Sequence, residues 1–540
     1  MIPLIVAGAM LTFVPQLADP YMTPRLLLVA LGAACLLFTK SNKGTSLELA
    51  AFVMLIAAGV SALYGHDRFY SIIGSYQFGM DSLLSIACYF TVLLAAARSN
   101  ATLDDAAKAI AVTAIPVSIY GILQRHFHDP LIWVDLHSGA RVASTQGGPI
   151  FLGAVLAVAA LCAAHLASKG DRLAQIALPL TLWCLWYTQT RGAVLATGVG
   201  VAFMFRWAAL AVIPAVVLMP RFFQSAMSDL ARLEVWKIAV RVFEDNPLTG
   251  YGNGTFYIAF RRYADWSLVD ITHNATYVQA HAHNDILHVL ATMGIVGLGA
   301  YLFLGYSFLR VAINHREKKF LSGLLAAYVA MSMFNPVTTS VFVLLAVIFG
   351  VASSKVVAIP GTRRFGMAGL AVFVVLATGR LTLANYHYAL AGLADRDPQL
   401  SAMEFQRAAQ LNPWEMFYSC RQVDSLMRLI PYMPLEQRKP LAIAGRKLAQ
   451  DAVMRHPDDS YAHELLGKQI LIGYMAGYRD INPREALEAF NRAQELAPTF
   501  EKLMWRRRNT AEQLGDVDQV SFADKDINDL RTAVASGKKS

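Results

Sequence analysis

Residues 281–302 read HAHNDILHVLATMGIVGLGAYL, and this run decides the fold. A polar loop turns here into an apolar helix. His283 and Asn284 are followed by nine residues, then Gly294, two more residues, then Gly297. On a helix His283, Leu287, Leu290, Gly294 and Gly297 step by four, three, four and three, which predicts one shared face. Small residues on that face predict close approach by a neighbouring helix. Asn284 is expected to cap the helix, its side chain accepting a free backbone N–H. His283 would then sit at a membrane surface, close to an electropositive helix N-terminus that favours neutral imidazole. A neutral imidazole there is a usable general base.

Outward from this run the chain is predominantly apolar. Of 540 residues, 56% are hydrophobic and 16% charged, and the mean hydropathy is +0.41. Apolar blocks lie near 2–18, 25–39, 47–64, 80–97, 106–123, 148–167, 173–188, 192–205, 207–219, 285–309, 320–334, 341–354 and 365–384. They approach the ~20 residues needed to cross a hydrocarbon core. The expected fold is all-α, a polytopic membrane protein of about 13 transmembrane helices. The net charge of +9 reads as loop charge rather than a nucleic-acid surface, because Lys and Arg cluster between blocks. Lys40, Lys43, Arg98, Lys169, Arg172, Arg206, Arg310, Arg316 and Lys355 all follow even-numbered blocks. That predicts a cytoplasmic N-terminus and, with an odd count, an outer C-terminus. MIPLIVAGAM lacks the basic region of a cleavable signal. The five cysteines offer no disulfide framework or metal motif.

This orientation puts Arg141, Arg191, Arg232, Arg241 and His283 in outer loops, the longest covering 220–283. A lone arginine at a membrane surface is often a snorkelling anchor. Arg141 and Arg191 beside His283 instead suit bidentate binding of a lipid-linked diphosphate. His281 and His283 do not read as a metal pair, since residues two apart diverge on a helix and no carboxylate stands at a familiar ligand spacing. Arg232, Trp236, Ala239 and Val240 predict an amphipathic face ended by Asn246-Pro247. Gly250, Gly252 and Gly254 read as a tight turn, because no strand precedes them as a dinucleotide loop requires.

Residues 386–540 are polar and helical in pattern, which divides the chain into domains 1–385 and 386–540. Three amphipathic pieces, 402–413, 447–457 and 485–498, each end in proline: Pro413, Pro457 and Pro498. The spacing of Ala486, Phe490 and Ala493 resembles the second helix of a tetratricopeptide (TPR) repeat, although the proline spacings exceed that repeat's ~34 residues. Two readings stand: a surface that docks a protein partner, or a cap that stabilises the outer loop.

The His283–Gly297 pattern resembles that of the O-antigen ligase superfamily. TQTRGAVLA around Arg191 resembles the family's T-x-S-R-G element, with Gln189-Thr190 where Ser usually precedes Arg. ARVASTQGGPIFLG resembles its R-x-x-G-T-x-x-N-P-N element, with Ser144, Gly148 and Ile150 as departures. Trp236-x-x-Ala239 and NPLTGYGNGTF (246–256) are similar to a further element. The motifs cover roughly 140–310. The resemblance implies a glycosyltransferase C-like enzyme of the bacterial inner membrane that needs no metal or cofactor. Such an enzyme moves a glycan from undecaprenyl diphosphate to an acceptor hydroxyl on the periplasmic face. It implies His283 as base and Arg191 and Arg141 as diphosphate ligands, with Asn284, Arg232 and His281 in support. Lipid A core ligases, polysaccharide polymerases and protein O-oligosaccharyltransferases all share the pattern, so the acceptor is a glycolipid, a glycan or a protein. Two other classes remain: a TPR scaffold for envelope polysaccharide assembly, and a lipid-linked glycan transporter. Few mid-block charges and no internal duplication speak against the transporter.

Overall fold

The computed structural model describes residues 1–39, 43–75, 81–126, 129, 141–206, 226–336, 338–356, 361–394, 396–429, 434–475 and 481–536. Among these residues the chain forms 23 α-helices. The β structure among them is one short antiparallel ribbon, Lys43–Thr45 against Ser354–Val356. Twelve of the apolar blocks coincide with helices, because each is a continuous run of side chains that bury together in one core. The block at 207–219 lies outside the described residues. Four described helices are long and apolar enough to cross a membrane: Leu103–His126, Pro149–Ala167, Asp285–Asn314 and Gly366–Leu393. Six more apolar helices run 10–17 residues.

Three helices give the bundle two ends. Met22–Leu37, Leu83–Arg98 and Thr339–Ala352 each begin at the end that holds Asp81, Thr145 and His288 and finish near the Lys43/Ser354 ribbon. At their starting end, Arg25 donates to the Thr145 carbonyl at 2.7 Å and Asp81 holds His288.

Helix Asp285–Asn314 is where expectation and structure part. Asn284 caps it as expected, accepting from the Leu287 amide at 3.1 Å. The single shared face does not form. His283 stands before the cap with φ +56, and the helix breaks at Gly294 (φ 62, ψ −162). At Gly294 itself a loop comes close, while helix Glu48–Tyr64 packs alongside, Ala57 and Ala58 against Val289 and Met293. The Ile295 and Val296 amides donate to the carbonyls of Pro247 and Leu248, at 2.9 and 3.2 Å. The amides of Tyr251 and Gly252 donate to the carbonyls of Ala291 and Thr292, both at 2.9 Å. A break leaves backbone groups without helical partners, and the 247–252 segment supplies them. A Cβ on Gly294 would lie 2.4 Å from the Leu248 carbonyl carbon, so glycine is required by both space and conformation. The turn at Gly250, Gly252 and Gly254, all at positive φ, shapes the segment for this pairing.

The 226–283 segment, expected from the sequence as an outer loop, contributes helices Ala226–Asp245, Phe256–Tyr263 and Trp266–Thr272. Val235, Ile238, Ala239 and Val242 bury the inner face of the first. Val240, expected on that face, is exposed, because it lies one residue round from Ala239. Residues 398–536 form seven helices, each packed on the next. The division expected at 385 falls inside the continuous helix Gly361–Leu393. The three proline-ended pieces stop alike: Asn412, His456 and Ala497 have φ of −134°, −128° and −148° and ψ of 81°, 65° and 71°. Steric conflict with the following proline excludes the helical region at such a residue. Ala486, Phe490 and Ala493 are buried, and Phe490 packs over Gly467. Met416, Val423, Ala449 and Ala462 share one core with Val235, Phe256, Tyr257 and Phe260 of the 226–283 segment.

Candidate active site

Arg191 is the first residue of helix Arg191–Met204, which starts where Gln189 turns the chain at φ +48. The following glycine has a steric reason: a Cβ on Gly192 would lie 1.9 Å from Asn335 Nδ2. Arg141 reaches the same turn from the other side. Its Nε donates to the Thr188 carbonyl at 2.9 Å and its Nη2 to Thr190 Oγ1 at 3.3 Å. Arg191 forms a two-pronged pair with Asp229, at 2.6 and 3.1 Å. Arg232 shares that carboxylate at 3.3 Å, one helical turn further on.

Arg232 is the electrostatic hub. Burial lowers its pKa from the usual guanidinium value; Asp229 opposes that effect and Arg191 adds to it. Arg141 is lowered by burial and then by the charge of Arg232. The guanidiniums stay charged, so three cations are held against mutual repulsion, and Asp229 bridges two of them. Such a cluster suits an anion of more than one charge. Arg241, also an outer-loop candidate, is engaged elsewhere, on Asp265 at 2.6 Å.

His283 completes the cluster. Its Nε2 lies 3.0 Å from Gln279 Oε1, and Gln279 Nε2 donates to the Tyr277 hydroxyl at 2.6 Å. The glutamine oxygen can only accept, so Nε2 carries the proton and Nδ1 the lone pair. Among the described residues Nδ1 has no hydrogen-bond partner. The pKa is lowered to about 3, chiefly by burial, then by His281, Arg232 and His288. Neutrality was expected from the helix N-terminus; burial is the larger cause.

His281 and His288 hold the backbone that carries His283. Their rings stack at 3.8 Å. His281 Nδ1 accepts the His283 amide at 3.0 Å, and His288 Nδ1 accepts the Ala282 amide at 3.4 Å. The opposite nitrogens face carboxylates: His281 Nε2 lies 3.3 Å from Asp285 and His288 Nε2 2.5 Å from Asp81. Asp285, four residues after His281, and Asp81 pair with these rings one to one, and among the described residues no three such groups gather as a metal site would need. The left-handed backbone at His283 is strained for a non-glycine residue, and these bonds hold it. Asn284 adds a further tie, donating to the Met333 carbonyl at 3.4 Å.

The structure thus brings Arg141, Arg191, Arg232 and His283 to one end of the bundle, with Asn284 and His281 behind the histidine. Sequence reasoning missed Asp229, Gln279, Asp81 and His288. The Asp229–Arg232 spacing of three, on one helix, was a readable signal, whereas Gln279 and His283 meet across a non-helical loop that spacing does not reveal. The Asp81–His288 pairing bridges 207 residues and left no signal.

The comparisons bear on the same region. A search of curated proteins finds no match to the chain. A family model described as O-antigen ligase matches residues 83–302, a span that holds Arg141, Arg191, Arg232 and His283. With its apolar helices, this marks a membrane protein whose 83–302 region belongs to the O-antigen ligase superfamily.

Proposed function

We propose that this protein transfers a glycan from undecaprenyl diphosphate to an acceptor hydroxyl at the periplasmic face of the bacterial inner membrane. The reading takes about 13 spans, a cytoplasmic N-terminus and a periplasmic C-terminal helical domain. One observation carries it: three guanidiniums and a neutral imidazole with an unpartnered Nδ1 converge at one end of an apolar bundle.

In this mechanism Arg141, Arg191 and Arg232 hold the diphosphate and stabilise the charge it gains on leaving. Asp229 is displaced from the arginines as the phosphates arrive. His283 Nδ1 takes the acceptor hydroxyl proton while that oxygen attacks the anomeric carbon. The bond from carbon to the phosphate oxygen breaks, its electron pair leaves with undecaprenyl diphosphate, and the anomeric centre inverts. A base with a pKa near 3 is weak, and the donor corrects this. Phosphate charge beside the imidazole favours its protonated form and raises its basicity. Proton transfer is thereby tied to donor binding. Positioning and electrostatics supply most of the rate, since the diphosphate already leaves well.

The test uses purified full-length protein, a lipid-linked glycan and an acceptor. His283→Ala is expected to lower the transfer rate by about 10²- to 10⁴-fold, with donor binding retained. Full transfer by that variant would refute the base assignment. Glycan profiling of a deletion strain assigns the acceptor: loss of capped lipid A, of polymer length or of a glycoprotein identifies ligase, polymerase or oligosaccharyltransferase.

A further inference from the structure

The bundle carries a second basic site at the end away from His283. The ribbon pairs Gly44 with Lys355, bringing Lys43 and Lys355 beside Arg98 at the end of helix Leu83–Arg98. Together with Glu48 these residues line a cavity of about 250 Å³. Among the described residues its wall carries three cations and one carboxylate. The rest of the wall is partly apolar: Leu94, Met367 and Leu49, the last 66% exposed. Arg98 is only 4% exposed and is oriented by its Nη2 bond to the Thr39 carbonyl at 3.0 Å. Lys43 Nζ is directed by the Ser99 carbonyl at 3.2 Å.

Position along the bundle narrows the ligand. Helix Met22–Leu37 connects the two ends with 16 residues, about 24 Å at 1.5 Å per residue. That is near the thickness of a hydrocarbon core, ~30 Å, so the cavity lies at headgroup depth on the opposite leaflet. A site whose wall combines cations with apolar side chains, the exposed Leu49 among them, fits an amphiphile with a phosphate head. A free anion would gain nothing from Leu49, Leu94 and Met367, and a neutral lipid nothing from the lysines.

We propose that this cavity binds the phosphate headgroup of an anionic phospholipid in the leaflet opposite the His283 site. Lys43, Arg98 and Lys355 hold the phosphate, and an acyl chain lies along Leu49 and Met367. Glu48 weakens the interaction and limits it to headgroups of sufficient charge.

The experiment titrates full-length protein in neutral detergent with dioleoylphosphatidylglycerol, dioleoylphosphatidylcholine or inorganic phosphate. Native mass spectrometry reads retained lipid and thermal unfolding reads Tm. The phosphatidylglycerol is expected to be retained and to raise Tm, with phosphatidylcholine and millimolar phosphate doing neither. Lys43→Gln and Lys355→Gln should each weaken phosphatidylglycerol retention about fivefold, the effect of one cation near an anionic surface. Glu48→Gln should strengthen it by a similar factor, a gain that damaged folding cannot produce. If Lys43→Gln lowers the lipid-free Tm, the exposed Lys355 alone carries the comparison. Equal retention of the two lipids, unchanged retention in Lys355→Gln, or a Tm rise with inorganic phosphate alone would each overturn the proposal.

Discussion

Gly294→Ala is the sharpest perturbation this structure offers. Its φ of 62 and ψ of −162 fall where only glycine is comfortable, a penalty of roughly 1–3 kcal/mol for any other residue. The new Cβ would stand 2.4 Å from both the carbon and the oxygen of the Leu248 carbonyl and 2.7 Å from the Gly250 nitrogen. Those are backbone atoms, so relief requires the 247–252 segment to withdraw. Overpacking of that kind costs about 1–3 kcal/mol. Withdrawal also breaks the Ile295 and Val296 hydrogen bonds, about 1 kcal/mol each. The total is about 4–8 kcal/mol by those estimates, enough to unfold many domains. Gly299, five residues on, has nothing within 4 Å of its added Cβ. Gly299→Ala should therefore cost less than about 1 kcal/mol. The assay is thermal unfolding of both purified variants, with the transfer rate measured on whatever folds. A Gly294→Ala protein that matches wild type in Tm and rate would refute the loop-in-helix reasoning, as would equal damage from Gly299→Ala.

Three further outcomes follow from the site and the outer segment. With the His283 pKa lowered to about 3, kcat/KM for the donor, which reports the enzyme before the phosphates arrive, should show no imidazole inflection between about pH 5.5 and 7.5. Gln279→Glu sets a carboxylate against Nε2, raises that pKa and should introduce a loss of rate as pH falls; a flat profile in the variant would contradict the assignment. Asp229→Asn releases a half-exposed carboxylate from Arg191 and Arg232, so donor affinity should rise about two- to fivefold, and weaker donor binding would contradict the displacement step. His456 Nδ1 lies 2.5 Å from Asp67 Oδ2, both buried. Its pKa is raised: burial opposes the charge, but the bond to Asp67 and the charges of Asp67, Asp459 and Glu415 favour it. This stabilisation is present in full below the unfolded pKa of about 6.5 and is lost as pH rises through the folded value. The Tm gap between wild type and His456→Gln should be wider at pH 6 than at pH 9, and a gap that widens with pH would be the wrong sign.

Apolar blocks were legible as helices because their partners are any apolar neighbours, and length with composition suffices to find them. The Asn284 cap was legible for a similar reason: donor and acceptor are three residues apart. The break at Gly294 was not. Its 3.6-residue periodicity runs on through the glycine, and only a loop some forty residues earlier in sequence interrupts it. His283 likewise carried its side-chain type but not its environment. Its tautomer depends on Gln279 and Tyr277, its backbone on two stacked histidines, and one of those on Asp81, far away in sequence. Arg191 and Arg141 were legible from their places between apolar blocks, and motif resemblance agreed. The central place of Arg232 emerges only once the 226–245 helix is seen to lay it between them.

The backbone pairing between 247–252 and the broken helix also bears on protein engineering. Hybrid enzymes that exchange the outer segment alone would sever four main-chain hydrogen bonds at the break. Residues 246–302 behave as one cassette, to be grafted together or left in place. Natural recombination within this segment would face the same boundary.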